Sequence, residues 1–125
     1  MKYIIDTNII IDHLRIGELK ASDFLKQIEN GEIQAFISVV TEYELLAIKL
    51  KKKEKEIIEE IFSLMPTISA TSEIVRQAAL FYKQYQISMA DGIIAATAFR
   101  AKAIIVTRDN AFLKIKEVKV ENLKK

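Results

Sequence analysis

The chain has 125 residues, half of them apolar, with 19 lysines and arginines against 17 aspartates and glutamates, a formal net charge of +2. This length and composition predict one folded domain over residues 1–125 with a sizeable core, and they exclude a disordered chain. The absence of cysteine excludes a disulfide framework and a zinc-thiolate centre, and no apolar run approaches a membrane span.

The first apolar run, Tyr3-Ile4-Ile5, reads as a buried strand that ends at Asp6, and it is too short for a signal sequence. The expected location is therefore the cytoplasm. Asp12 is placed to cap a short helical turn through Leu14, which Gly17 breaks. Ser22-Asp23 starts a helix to about Ile28, stopped by Asn30-Gly31. Gln34–Ile37 reads as a second strand. Ser38 is a candidate N-cap for a helix from Val39 to Leu50, with Glu42 in its first turns. After the polar run Lys49–Lys55, the spacing of Ile57, Ile58, Ile61, Phe62 and Leu64 predicts a helix that Pro66, the only proline, ends. Thr67–Ser69 suggests a short strand. Thr71 or Ser72 caps a helix carrying Ile74, Val75, Ala78, Phe81 and Tyr82. Ser88-Met89-Ala90-Asp91 opens another, running to about Ala101, whose small residues suit close packing on a sheet. Ile104-Ile105-Val106 reads as a buried strand and Lys119-Val120 as a last short one. Strands apolar on both faces, alternating with helices, predict a mainly parallel sheet covered by helices.

Four acids stand out against this order. Asp6 and Asp109 follow the ends of two buried strands, and Glu42 and Asp91 lie near the starts of two helices. In open parallel sheets such positions meet at the carboxyl edge, where ligands bind. Carboxylates gathered there repel one another, and a hard divalent cation is the simplest compensation. An acid cluster with Mg²⁺ or Mn²⁺ is the chemistry of phosphodiester cleavage. Each acid also has an ordinary reading. Asp6 can bond nearby backbone, Asp91 can favour a helix dipole, Glu42 can face solvent beside Glu44, and Asp109-Asn110 can make a turn.

Four ordered blocks decide between these readings: Ile4-Ile5-Asp6-Thr7-Asn8, Ser38–Leu45, Ala90–Ala98 and Val106–Phe112. Together they resemble the signature segments of PIN-domain ribonucleases, and among these the VapC toxins of toxin–antitoxin pairs. The resemblance implies the PIN α/β/α sandwich and a Mg²⁺- or Mn²⁺-dependent endoribonuclease acting on cellular RNA. Asp6, Glu42, Asp91 and Asp109 match the family's acidic positions. Asn8 and Thr107 match the polar positions that orient them. The resemblance also implies a homodimer and a cognate VapB-like antitoxin.

Arg15, Arg100 and Arg108 lie near the motif segments and are the candidates for RNA phosphates, contacts that give salt-dependent affinity with little sequence information. His13 reads as a surface or groove residue. The apolar helix ending at Leu64, with the helix before it, is core by default and a candidate groove for an antitoxin segment. Two rival readings have weaker support. A haloacid-dehalogenase-type phosphatase would use Asp6 as nucleophile but expects a second Asp where this chain has Asn8. A receiver-like module expects a phosphoacceptor Asp in mid-chain, and residues 51–66 offer none after a strand.

Overall fold

Parallel strands apolar on both faces need a helical layer on each side, and the computed structural model, which describes residues 1–15, 17 and 19–123, has that arrangement. Its elements run β1 (Lys2–Ile5), α1 (Thr7–Arg15), α2 (Leu19–Glu29), β2 (Gln34–Ser38), α3 (Val39–Ala47), α4 (Lys52–Leu64), β3 (Thr67–Ile68), α5 (Ser72–Tyr85), α6 (Met89–Ala101), β4 (Ile104–Thr107) and β5 (Lys119–Asn122). A 3₁₀ turn over Asn110–Lys114, not anticipated from the sequence, lies between β4 and β5.

The five strands are all parallel in the order β3-β2-β1-β4-β5. The chain builds the sheet outward from β1 in one direction, then returns to add β4 on β1's other side. That reversal makes the carboxyl ends of β1 and β4 the switch point, where an open α/β sheet leaves a crevice. The pleat sends successive residues to opposite faces. Ile5 and Val106 join a core with Ile9, Ile10, Phe24, Leu25, Leu45, Ile58 and Ile61, under α1 to α4. Ile4 and Ile105 join the other core, with Ile74, Phe81, Ile94, Ala95, Ala98 and Phe112, under α5 and α6.

Four helices differ from expectation at their ends, among them α4, which starts at Lys52 inside the polar run rather than after it. The first begins at Thr7, directly after the strand, and Asp12 lies within it rather than capping it. Apolar Ile9, Ile10 and Ile11, separated from Asp6 by Thr7 and Asn8, hid that boundary, because they read as well in a strand as in a helix. The second begins at Leu19, ahead of Ser22. The third stops at Ala47, where Ile48 is already extended. Serine hydroxyls cap two other starts, the expected one at Ser38 and, where α6 was expected to open, Ser88 rather than Asp91. Ser38 Oγ accepts from the Val40 amide at 2.9 Å, and Ser88 Oγ accepts from the Asp91 amide at 3.1 Å. Gly31, at φ +74°, ends the run after α2 in the left-handed region that glycine enters without penalty.

Candidate active site

The site begins where β1 stops. The Asp6 amide still donates to the Val106 carbonyl at 2.9 Å, so the sheet ladder holds its backbone against β4 one residue beyond the strand. Its side chain turns into the crevice and is only 7% exposed. Thr107 Oγ1 donates to one carboxylate oxygen at 2.7 Å, and the Thr7 amide donates to the other at 2.8 Å. Burial pushes the Asp6 pKa up from 3.8 to about 6. The Thr107 and Thr7 hydrogen bonds work against that rise, and the negative charges of Asp91 and Glu44 add to it.

Thr107 is the hub. Its hydroxyl donates to Asp6 and accepts from the Asp109 amide at 3.0 Å and from Asn8 Nδ2 at 3.4 Å. With its single proton committed to Asp6, the Thr107 oxygen requires a donor from Asn8, which fixes the amide's orientation. Asn8 Oδ1 then points the other way, buried and with no hydrogen-bond partner among the described residues. One threonine thus ties the acid after β1 to the loop carrying Asp109.

Asp91 enters from the start of α6, held by the Ser88 cap and half-buried. Its pKa is raised, first by burial and then by the charges of Asp109 and Glu44, while the Ser88 hydrogen bond and Lys114 act in the opposite sense. Asp109 follows β4 and caps the 3₁₀ turn, its Oδ1 accepting from the Ala111 amide at 2.9 Å. Asp6, Asp91 and Asp109 therefore form a chain of mutually repelling charges across the crevice.

The fourth expected acid, Glu42, is not the one that α3 delivers. Glu44 is. Thr7 Oγ1 lies 2.7 Å from Glu44 Oε1, to which it donates, and 3.0 Å from the Thr41 hydroxyl, which supplies the second proton. Glu44 also presses electrostatically on both Asp6 and Asp91. The reason is helical phase. Residues three and four apart share a face, so Thr41, Glu44 and Leu45 turn inward together, and Thr41 and Leu45 are fully buried. Glu42, two residues before Glu44, is rotated by roughly 200° to the far side. The signal was present in the sequence, since Glu44 stands three residues after Thr41 and next to Leu45. Nearness to the helix start was the misleading cue.

The donor set suits a hard cation: carboxylate oxygens from four separate parts of the chain and an unpartnered amide oxygen, with neither sulfur nor imidazole among them. Among the described residues no three acidic or imidazole side chains stand close enough to enclose an ion unaided. Mg²⁺ retains several waters and needs no closed protein cage, so an open acid-lined crevice still fits it.

The family model described as PIN domain matches residues 3–118. This chain belongs to the PIN domain family. Ribonuclease VapC19 of Mycobacterium tuberculosis is 32% identical, with 83% of this chain aligned to 86% of that protein. A toxin–antitoxin complex from Klebsiella pneumoniae holds a chain 28% identical, with a TM-score of 0.76 and coverage of 93% and 94%. The fold also matches VapBC2 from Rickettsia felis, solved with a promoter DNA fragment, at a TM-score of 0.80 over 99% of this chain and 100% of that one, with 19% identity. The expected PIN-like α/β/α sandwich is thus the fold this chain has.

Within this PIN domain the three arginines expected to meet RNA are all engaged otherwise. Arg15, at the end of α1, donates to the Lys49 carbonyl at 3.3 Å. Arg100 is paired with Glu73 in the last turn of α6, roughly 14 Å along the helix from Asp91. It lines a depression with Lys2 and Lys119, which begin β1 and β5, so it sits at the edge of the sheet opposite the acids. Arg108 does flank the crevice, but its Nε donates to Asp12 at 2.7 Å. Lys114, on the 3₁₀ turn, is the cation whose charge Asp91 feels. The sequence carried no periodic signal for it, because the turn that presents it has none.

Proposed function

We propose that this PIN domain is an endoribonuclease that hydrolyses phosphodiester bonds of cellular RNA with Mg²⁺ or Mn²⁺, as the toxin of a type II toxin–antitoxin pair. One observation supports this most directly: a buried carboxylate, Asp6, at the sheet's switch point, surrounded by acids rather than by a neutralising side chain. The residues that would hold the cation are Asp6, Asp91, Asp109 and Glu44. When bound, a divalent ion supplies positive charge against a phosphoryl oxygen and acidifies a water.

The chain's own groups do the rest by position. Thr107 and the Thr7 amide present both oxygens of Asp6 in one orientation and favour its ionised form. Thr7 sets Glu44. Asn8 offers an acceptor without a partner. Lys114 is exposed beside Asp91 and is the phosphate contact. RNA cleavage with Mg²⁺ tests the reading. Wild type cleaves, and Asp6→Asn and Asp91→Asn each lower the rate by a factor on the order of a thousand or more while remaining folded. Either variant cleaving at the wild-type rate removes that residue from the mechanism, and wild type inert toward RNA in both metals removes the function.

The partner reading rests on kinship with the Klebsiella complex, in which toxin and antitoxin are found together. A depression of about 270 Å³ between α2 and α4, lined by His13, Leu25, Ile57, Ile61 and Leu64, suits an apolar antitoxin segment. A homodimer and a cytoplasmic setting complete the proposal. Among the described residues no helix is long and apolar enough to cross a membrane.

A further inference from the structure

Two buried or half-buried charges in the crevice wall take no part in the acid cluster. Asp12 lies in α1, five residues after Thr7, with its side chain only 5% exposed, and Arg108 stands between Thr107 and Asp109 with half its side chain in water. Their contact, Arg108 Nε to Asp12 Oδ2 at 2.7 Å, joins the helix that carries Thr7 and Asn8 to the loop that carries Asp109. A carboxylate buried to this degree needs a counter-charge, so the guanidinium is not free to leave for a phosphate without stranding Asp12. The pair also neutralises an acid that would otherwise compete for a cation beside the site.

We propose that the Arg108–Asp12 ion pair is a strut that positions the Asp109 arm of the crevice, and that Arg108 is a positioning residue rather than an RNA ligand. This rests on the ribonuclease reading above. Asp109 is exposed; its amide donates to the Thr107 hydroxyl and its carboxylate caps the 3₁₀ turn, which Asn110 and buried Phe112 tie to β5 and to the core. Arg108 adds the tie on the other side, to α1, the helix that carries Thr7 and Asn8.

The test separates the two roles of Arg108 by changing its partner. Asp12→Leu is close to aspartate in size, leaves no buried charge and cannot hold the guanidinium. It releases Arg108 without removing it. If the pair is a strut, Asp12→Leu and Arg108→Ala both lower kcat by on the order of tenfold to a hundredfold, as small misplacements of a reacting group do. KM and its salt dependence stay as in wild type. Lys114→Ala, as a comparison, raises KM and flattens the salt slope by about one charge. Mn²⁺ titration calorimetry gives a second readout. Stoichiometry reports the folded fraction, and the dissociation constant rises in Asp12→Leu and Arg108→Ala alike. Arg108→Lys, which retains the neutralising charge, recovers part of both losses. The proposal is overturned if Asp12→Leu keeps wild-type kcat and Mn²⁺ affinity, or if Arg108→Ala acts on KM and salt slope as Lys114→Ala does. Should wild type bind Mn²⁺ but cleave no RNA, the ribonuclease reading fails while the Mn²⁺ comparison still decides the strut.

Discussion

Asp6 shows how one residue couples function to stability. Its carboxyl titrates near 6 in the folded protein against an ordinary value of 3.8, so between about pH 4 and 6 the folded state holds a proton that the unfolded state has lost. Stability of the metal-free protein therefore falls as pH rises through that window, by up to roughly 3 kcal/mol. Asp91 shifts in the same direction and adds to the trend. Melting curves in chelator from pH 4.5 to 7 check this: the midpoint falls on raising the pH, and the fall is much reduced in Asp6→Asn. A flat profile in wild type would show that burial in the crevice, with the neighbouring charges, does not disfavour the Asp6 carboxylate. The same scale separates the two glutamates of α3. Glu44→Gln, which loses a charge held by Thr7 against the crevice, lowers cleavage at least about tenfold, and Glu42→Gln stays within about twofold of wild type. Side-by-side rates in Mg²⁺ decide it, and the opposite order would restore Glu42.

At the level of elements, α6 does two jobs. Its Ser88 cap aims Asp91 at the crevice, and its Gly92, Ala95, Ala96 and Ala98 let it lie close against the sheet and α5. Small residues were legible in the sequence as a packing surface. Whether any of them is obligatory was not, because that depends on what stands opposite. A Cβ at Gly92 would lie 3.5 Å from the Ala78 carbonyl oxygen and 3.7 Å from Ile87 Cδ1, ordinary contact distances. Gly92→Ala is thus expected to fold and to gain roughly 0.5–1 kcal/mol from reduced chain entropy in a helix. Denaturant unfolding measures it, and a loss of more than about 1 kcal/mol would mean that the α5–α6 contact tolerates no methyl. The helix starts at Ser38, Thr71 and Ser88 were readable because a capping hydroxyl is a local signal. The start of α1 was not, since no capping Ser or Thr announces it and Asp6, the residue before Thr7, is claimed by the crevice.

For the molecule as a whole, burial and the acids' mutual repulsion disfavour the ionised crevice at neutral pH, and a bound cation offsets both. Mn²⁺ or Mg²⁺ should therefore raise the melting temperature by roughly 10 °C at a hundredfold excess over Kd, with no gain in Asp6→Asn. An unchanged midpoint through a saturating titration would argue that no native site exists. The sheet order explains why residues as far apart as Asp6 and Thr107 touch: β4 returns to pair with β1, and the crevice forms where the two leave the sheet. By itself the sequence determined the alternation of strands and helices, the parallel sheet and three of the acids in the crevice, because hydrophobic period, caps and strand ends are local properties. Tertiary structure alone decided that Glu44 and not Glu42 turns inward, that Arg108 is spent on Asp12, and that Arg100 lies at the opposite edge. Those outcomes depend on helical phase against a particular neighbour and on which charges burial forces into pairs, and neither is written in any single stretch of chain.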